Sequence, residues 1–296
     1  MEKVLIVGAA GLLGSEVMEQ FQDNFHVIAG LHKSSNTIPS TPSVIVDISS
    51  EANIFEVIKD LKPNFIINCA GLTSIEECEK FPEKSFLLNA VGPYYLSKIS
   101  KKFDCKFVHI STDHFQSTDL IPRSELVEMI PINHYGFGKY HGECYVKNIN
   151  SSALIIRTNF FGFNSRRESF FSKMIHSLNN SNFYNGFNDI KFSPIGITTL
   201  VSAIKVALES NLVGLLNIGS TEEITKLDFV NYLSRELGNL NIQINSIRSD
   251  TIEGRIVRPK YLSLDSRNFI DQTHFMMPNI STMIRQELKK FHERFQ

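Results

Sequence analysis

The chain opens on an apolar run, Val4-Leu5-Ile6-Val7, that passes without a break into Gly8-Ala9-Ala10-Gly11-Leu12-Leu13-Gly14 and then into an amphipathic stretch. A strand that must turn this tightly into a helix, with small residues letting the backbone close up, narrows the fold more than any other feature. Such a loop starts a βαβ unit, and βαβ units require a parallel sheet with helices on its faces. Short β-branched runs predict further strands at 25–29, 43–47, 64–68, 106–110 and 153–156, after the first at 3–7. Amphipathic stretches predict helices at 12–22, 51–60, 83–101 and 133–148. Runs such as Phe65-Ile66-Ile67 and Leu154-Ile155-Ile156 are continuously apolar, as strands covered on both faces are.

The expected fold class is α/β, a Rossmann doubly wound parallel sheet with a smaller C-terminal substrate-binding α/β lobe. Past residue 157 the rhythm loosens, and Asn, Ser and Phe crowd 159–192 as in a cap-like insertion. The expected division is 1–157 for the nucleotide-binding domain and 158–296 mainly for the substrate lobe, with about 192–220 returning to the first sheet. A helix at about 198–209 and a strand at about 214–218 fall in that returning stretch, and two or three helices with a short strand follow Ile224.

Composition closes off several functions. The 296 residues carry 30 Lys+Arg against 31 Asp+Glu, a balance that does not suit a binder of nucleic-acid phosphates. No apolar run reaches the roughly 18 residues of a membrane span, so no membrane role is expected. Met1-Glu2-Lys3 leads straight into the first strand, which leaves a cytoplasmic setting as the expectation. Cys69, Cys78, Cys105 and Cys144 form no Cys-x-x-Cys pair, so no metal site or disulfide framework is expected.

The glycine loop places backbone N–H groups and a helix N-terminus where a pyrophosphate can sit, with Gly8, Ala10, Gly11, Leu12, Leu13 and Gly14 as candidate contacts. The alternative is a merely tight strand-to-helix turn. The loop lacks the Gly-Lys-Ser/Thr ending of an ATP-binding P-loop. The second strand ends in Ala29-Gly30-Leu31-His32-Lys33, without the carboxylate that usually binds the ribose hydroxyls of NAD. His32 and Lys33 would instead meet a 2′-phosphate, which favours NADP (as NADPH) over NAD; otherwise both are exposed loop residues.

The strand at 106–110 runs into Ser111-Thr112-Asp113, and 23 residues after Thr112 comes Tyr135-Gly-Phe-Gly-Lys139 on a predicted helix. Tyrosine and lysine at i and i+4 share a helix face, so an ammonium can favour phenolate and bring the phenol into the range of an acid–base catalyst. Thr112, Tyr135 and Lys139 are thus the candidate catalytic residues, suited to protonating a carbonyl oxygen as hydride reaches its carbon. The spacing alone is weak, and a second copy runs from Tyr94 to Lys98. That copy precedes the fifth strand and is expected to be an ordinary helix-face pair.

Taken in order, these motifs resemble the extended short-chain dehydrogenase/reductases, and within them the dTDP-4-dehydrorhamnose reductase family. The resemblance also runs through Val46-Asp47-Ile48, Asn68-Cys69-Ala70-Gly71-Leu72-Thr73, Leu88-Asn89-Ala90, Gly142-Glu143, Arg157-Thr158, Arg258-Pro259 and Leu262-Ser263-Leu264-Asp265. It implies that Asp47 and Ile48 lie at the adenine, that Cys69, Ala70, Gly71, Asn89 and Ser111 line the cofactor, and that Lys139 also holds the nicotinamide ribose beside Tyr135. It implies that Thr73, Thr112, Asp113, Tyr135, Asn159, Phe160 and Arg258 face a nucleotide-sugar substrate. Structural roles compete with several of these: Asp47 as a cap of the next helix, Phe160 as core, and for Asn89 either a proton relay or, the preferred reading, a brace for its helix. The resemblance implies an NADPH-dependent reductase of a nucleotide-linked 4-keto deoxysugar, with homodimers known among its members. The alternatives are a regulatory subunit like that of methionine adenosyltransferase and a nucleotide-sugar epimerase. His114-Phe115-Gln116 departs from the Tyr-Val-Phe that usually follows Ser-Thr-Asp, which leaves the sugar open.

Overall fold

The structure is a computed structural model that describes residues 1–32, 41–117, 122–163, 169–239 and 241–295. The chain runs β1 (Lys3–Val7), α1 (Leu12–Phe21), β2 (His26–Leu31), β3 (Ser43–Ile45), α2 (Glu51–Leu61), β4 (Phe65–Asn68), α3 (Ile75–Lys80), α4 (Pro82–Phe86), a π-turn at Leu87–Val91, α5 (Gly92–Lys102), β5 (Lys106–Ile110), α6 (His134–Ile149) and β6 (Leu154–Arg157). It continues with β7 (Phe160–Phe161), α7 (Phe170–Asn180), β8 (Phe183–Phe187), β9 (Lys191–Phe192), β10 (Ile195–Gly196), α8 (Ile197–Glu209), β11 (Gly214–Asn217), β12 (Ile224–Thr225), α9 (Lys226–Glu236), β13 (Gln243–Ile247), β14 (Tyr261–Leu262), α10 (Arg267–Thr273) and α11 (Ile280–Phe295).

Seven strands form one sheet in the order β11-β6-β5-β4-β1-β2-β3, and the pairings from β3 through β6 are parallel. The strand order reverses between β1 and β4, the place where doubly wound sheets bind ligands beyond their carboxyl ends. Register puts Val7 opposite both Gly30 and Asn68, and Asn68 opposite His109. The glycine loop, His32, Cys69 and Ser111 therefore all emerge at one end of the sheet. Leu5, Ile54, Ile66 and Leu96 are wholly buried in the layer between sheet and helices, each worth about 1.5–3 kcal/mol of burial.

The chain forms two compact units, one of Met1–Thr112, Pro131–Arg157 and Leu208–Leu216, the other of Asp113–Ile130, Thr158–Ala207 and Asn217–Gln296. This differs from a single boundary at 157. Asp113–Ile130 joins the second unit because Arg123, fully buried, donates to the carbonyls of Asp113, Phe115 and Ser263. Of the stretch expected to return, only 208–216 does so: β11 closes the sheet edge, with Gly214 N–H bonded to the Ala153 carbonyl. The start of α8 stays in the second unit, where the Glu287 carboxylate accepts from the Thr198 N–H.

The helix expected over 83–101 is present as one continuous helical run with a π-turn at Leu87–Val91 in its middle, where the Asn89 side chain reaches both the Leu72 backbone and Ser85 one turn back. Helix α3 was not expected, although Ser74 accepts from the Glu77 N–H in a Ser-x-x-Glu start that the sequence displays. No helix among the described residues is long and apolar enough to cross a membrane.

Candidate functional site

The first unit carries the glycine loop. Gly8 takes φ +83°, and a Cβ there would lie 2.8 Å from the Ala70 nitrogen; a Cβ on Gly14 would lie 2.3 Å from the Gly8 carbonyl oxygen. Only glycine lets β1, α1 and the β4 exit approach this closely. Gly11 is the N-cap of α1 and offers no side-chain cap, and no acid stands in the first turn. That leaves a positive helix end suited to an anion, so the residues present fit a dinucleotide pyrophosphate.

Around this loop the other expected cofactor contacts fall into two groups. His32 is exposed at the end of β2, whereas Lys33 lies outside the described residues. Asp47 is half-buried, and its Oδ1 accepts from the backbone and hydroxyl of Ser49, which hold its carboxyl below the usual range. It does not cap α2: Ser50 does, accepting from the Asn53 N–H. Ile48 is buried, Cys69 and Ala70 are half-buried and Gly71 is exposed. Asn89 is buried with both ends of its amide on Leu72, so its side chain braces the Gly71–Thr73 loop. Thr73 on that loop is exposed.

Helix α6 begins with Asn133, whose side chain accepts from the Gly136 N–H at 2.9 Å. Tyr135 is half-buried in the first turn, and Lys139 is buried one turn later with its Nζ donating to the Ile110 carbonyl at 2.6 Å. That bond fixes the ammonium at the end of β5, two residues before Thr112, which is itself buried. Burial pulls the Lys139 pKa down to about 8, against the opposing charge of Glu143. An ammonium so placed can hold a phenol in its acid–base range.

The second unit holds Asp113, Asn159, Phe160 and Arg258. Asp113 is buried; its Oδ2 accepts from Asn159 Nδ2 at 2.5 Å, and burial raises its carboxyl to about 6 despite that bond and the cations Arg123 and Lys226. Lys226 was not singled out in the sequence. Its Nζ stands 3.4 Å from the Phe192 ring centroid, and burial lowers its pKa to about 8 against Asp113. Burial, then Arg258, Lys226, Arg255 and Arg123, hold His114 down at about 4. Phe160 is half-buried at the start of β7, beside Ile195. No sequence signal marks Arg123 or Lys226, because neither lies in a motif and only the fold directs them at Asp113.

The RmlD substrate binding domain family matches residues 1–293. The chain belongs to that family. Among its relatives, a probable low-salt glycan biosynthesis reductase of Haloferax volcanii is 26% identical over 89% of both chains. The spore coat polysaccharide biosynthesis protein SpsK of Bacillus subtilis is 27% identical over 90% of both. In structure, the chain is similar to dTDP-4-dehydrorhamnose reductase of Bacillus anthracis, solved with NADP, with a TM-score of 0.88 at 24% identity over 98% of this chain and 99% of that one. That likeness establishes the extended α/β fold.

Proposed function

We propose that this protein is an NADPH-dependent reductase of the 4-keto group of a nucleotide-linked deoxysugar, working in deoxysugar or polysaccharide biosynthesis. The observation that carries the reading is the buried Lys139 ammonium, tied to the Ile110 carbonyl beside Thr112 and one helical turn from Tyr135. The family and the reductases among the relatives support the substrate class. The first unit is the cofactor-binding domain in this reading: Gly8 to Gly14 hold the pyrophosphate, His32 and Lys33 the 2′-phosphate, and Asp47 with Ile48 the adenine.

NADPH, when bound, supplies hydride to the ketone carbon. Thr112 orients the carbonyl by donating a hydrogen bond to its oxygen, and Tyr135 Oη delivers the proton that converts that oxygen to hydroxyl. Lys139 stabilises the resulting phenolate until solvent returns the proton. Thr73, Asp113, Asn159, Phe160 and Arg258 recognise the sugar nucleotide. The chemistry needs a compartment that supplies NADPH, in keeping with the cytoplasm, and a homodimer is compatible with it.

The test is consumption of NADPH with a dTDP-linked 4-keto-6-deoxyhexose, compared with NADH at equal concentration. Stoichiometric reduction, faster with NADPH, is expected. Binding of NADPH without turnover on any such ketone would instead favour a regulatory subunit.

A further inference from the structure

Glu143 lies on α6 one turn beyond Lys139 and is buried together with Arg157 on β6 and Ser111 at the exit of β5. Arg157 grips the carboxylate bidentately, Nε at 3.0 and 3.1 Å from the two oxygens and Nη2 at 2.7 Å from Oε2. Ser111 Oγ donates to Oε1 at 2.5 Å. Three elements thus meet on one carboxylate: the helix that carries Tyr135 and Lys139, the strand end that carries Thr112, and the neighbouring strand.

We propose that Glu143 is a positioning residue for the reduction: it locks the β5 exit to α6 and lends Lys139 the buried negative charge that keeps it an ammonium. The inference rests on the reductase reading for its kinetic test. A buried ion pair is weak evidence for stability, because neutral residues of similar volume often replace one at little cost. Its place one turn beyond Lys139 points to a different account, and the geometry supplies one. Lys139 donates to a neutral carbonyl, so that bond brings it no counter-charge. The groups that face it are Glu143 on its own helix, Cys69 after β4 and His109 on β5, with Tyr135 one turn away. Cys69 is held as the thiol, its pKa pushed up to about 12, and burial holds His109 well down in its neutral form. Glu143 is the anion of this set. Arg157 and Ser111 in turn direct charge-assisted hydrogen bonds at its two oxygens and hold the carboxylate in place.

The sign follows directly. Lys139 is cationic below about pH 8, so activity that needs the ammonium falls as pH rises past that value. Removing the Glu143 charge lowers the pH at which the ammonium is lost. In Glu143→Gln the alkaline limb of kcat is expected to move down by about one unit, about a fivefold loss at pH 8 that approaches tenfold at higher pH, with KM for the sugar nucleotide within about twofold. Glu143→Asp, which keeps the charge, should restore the limb. Because Glu143→Gln strands a buried guanidinium, the double variant Glu143→Gln/Arg157→Gln is run beside it and is expected to show the same downward move. A limb that stays in place in both variants overturns the proposal, as does an equal displacement in Glu143→Asp. If the wild-type protein reduces no keto-sugar, the reductase reading fails by itself. The proposal is then decided by the 15Nζ titration of Lys139, whose midpoint must drop in the glutamine variants.

Discussion

The first unit contains two Tyr-x-x-x-Lys segments of identical spacing, and the fold makes different things of them. On α5, Lys98 keeps 47% of its side chain exposed, bonds Glu51 at 2.8 Å and lies 5.9 Å from the Tyr94 ring centroid. Its pKa is raised, first by the hydrogen bond to Glu51 and then by that carboxylate's charge. On α6, Lys139 is 5% exposed, bonds a backbone carbonyl and is lowered to about 8 by burial. The four-residue spacing only places two side chains on one helix face. The difference comes from what that face is packed against: for α5 the solvent and a surface carboxylate, for α6 the end of β5 and the buried Glu143.

The largest effect that tests this contrast belongs to the phenols. Tyr135→Phe is expected to cut kcat for NADPH-dependent reduction by about 1,000-fold, the scale of losing a general acid. Tyr94→Phe should stay within about twofold. Equal losses in steady-state rates would show that the α6 copy has no special chemistry.

Next come the lysines. Lys139→Met is expected to lower kcat by about 100-fold, whereas Lys98→Met removes only an exposed ion pair and should change the rate less than twofold. The pH profile sharpens the point. With Lys139 intact, activity should decline above about pH 8 as the ammonium deprotonates, and Lys98→Met should leave that limb where it is. A limb that follows Lys98 would reverse the assignment.

The distinction between the copies was legible in part. Chain order picked out Tyr135, because only that copy follows both the glycine loop and Ser111-Thr112. The parallel sheet and its glycine loop were legible too, since period, breakers and small residues are local signals. What no local signal carries is where a long side chain ends. Glu143 sat in view four residues after Lys139, yet its partners Ser111 and Arg157 come from two strands brought together by the sheet. Asn89 read as a residue of one long helix, which it is, but the π-turn it occupies and the partner of its amide 17 residues back, at Leu72, carry no local signal. Asp47 looked able to cap α2, and Ser50 takes that role because it stands directly before the first helical residue.

The smallest expected effect concerns how the two helices begin. Helix α5 continues out of the π-turn with no side-chain cap, its start already hydrogen-bonded by the preceding turn. Helix α6 starts afresh after a loop, so its first N–H groups lack a preceding turn, and Asn133 satisfies that of Gly136. Asn133→Ala is therefore expected to cost about 1 kcal/mol and to lower Tm by about 2–4 °C in a thermal melt. Because Tyr135 sits in that first turn, fraying should also loosen the phenol and lower kcat by a few-fold more than the stability loss alone explains. Asn133→Asp keeps an acceptor at the cap and adds negative charge at the helix N-terminus, so it should recover both Tm and rate. A variant that melts earlier with an unchanged rate would mean that Tyr135 is held by its packing and not by the cap.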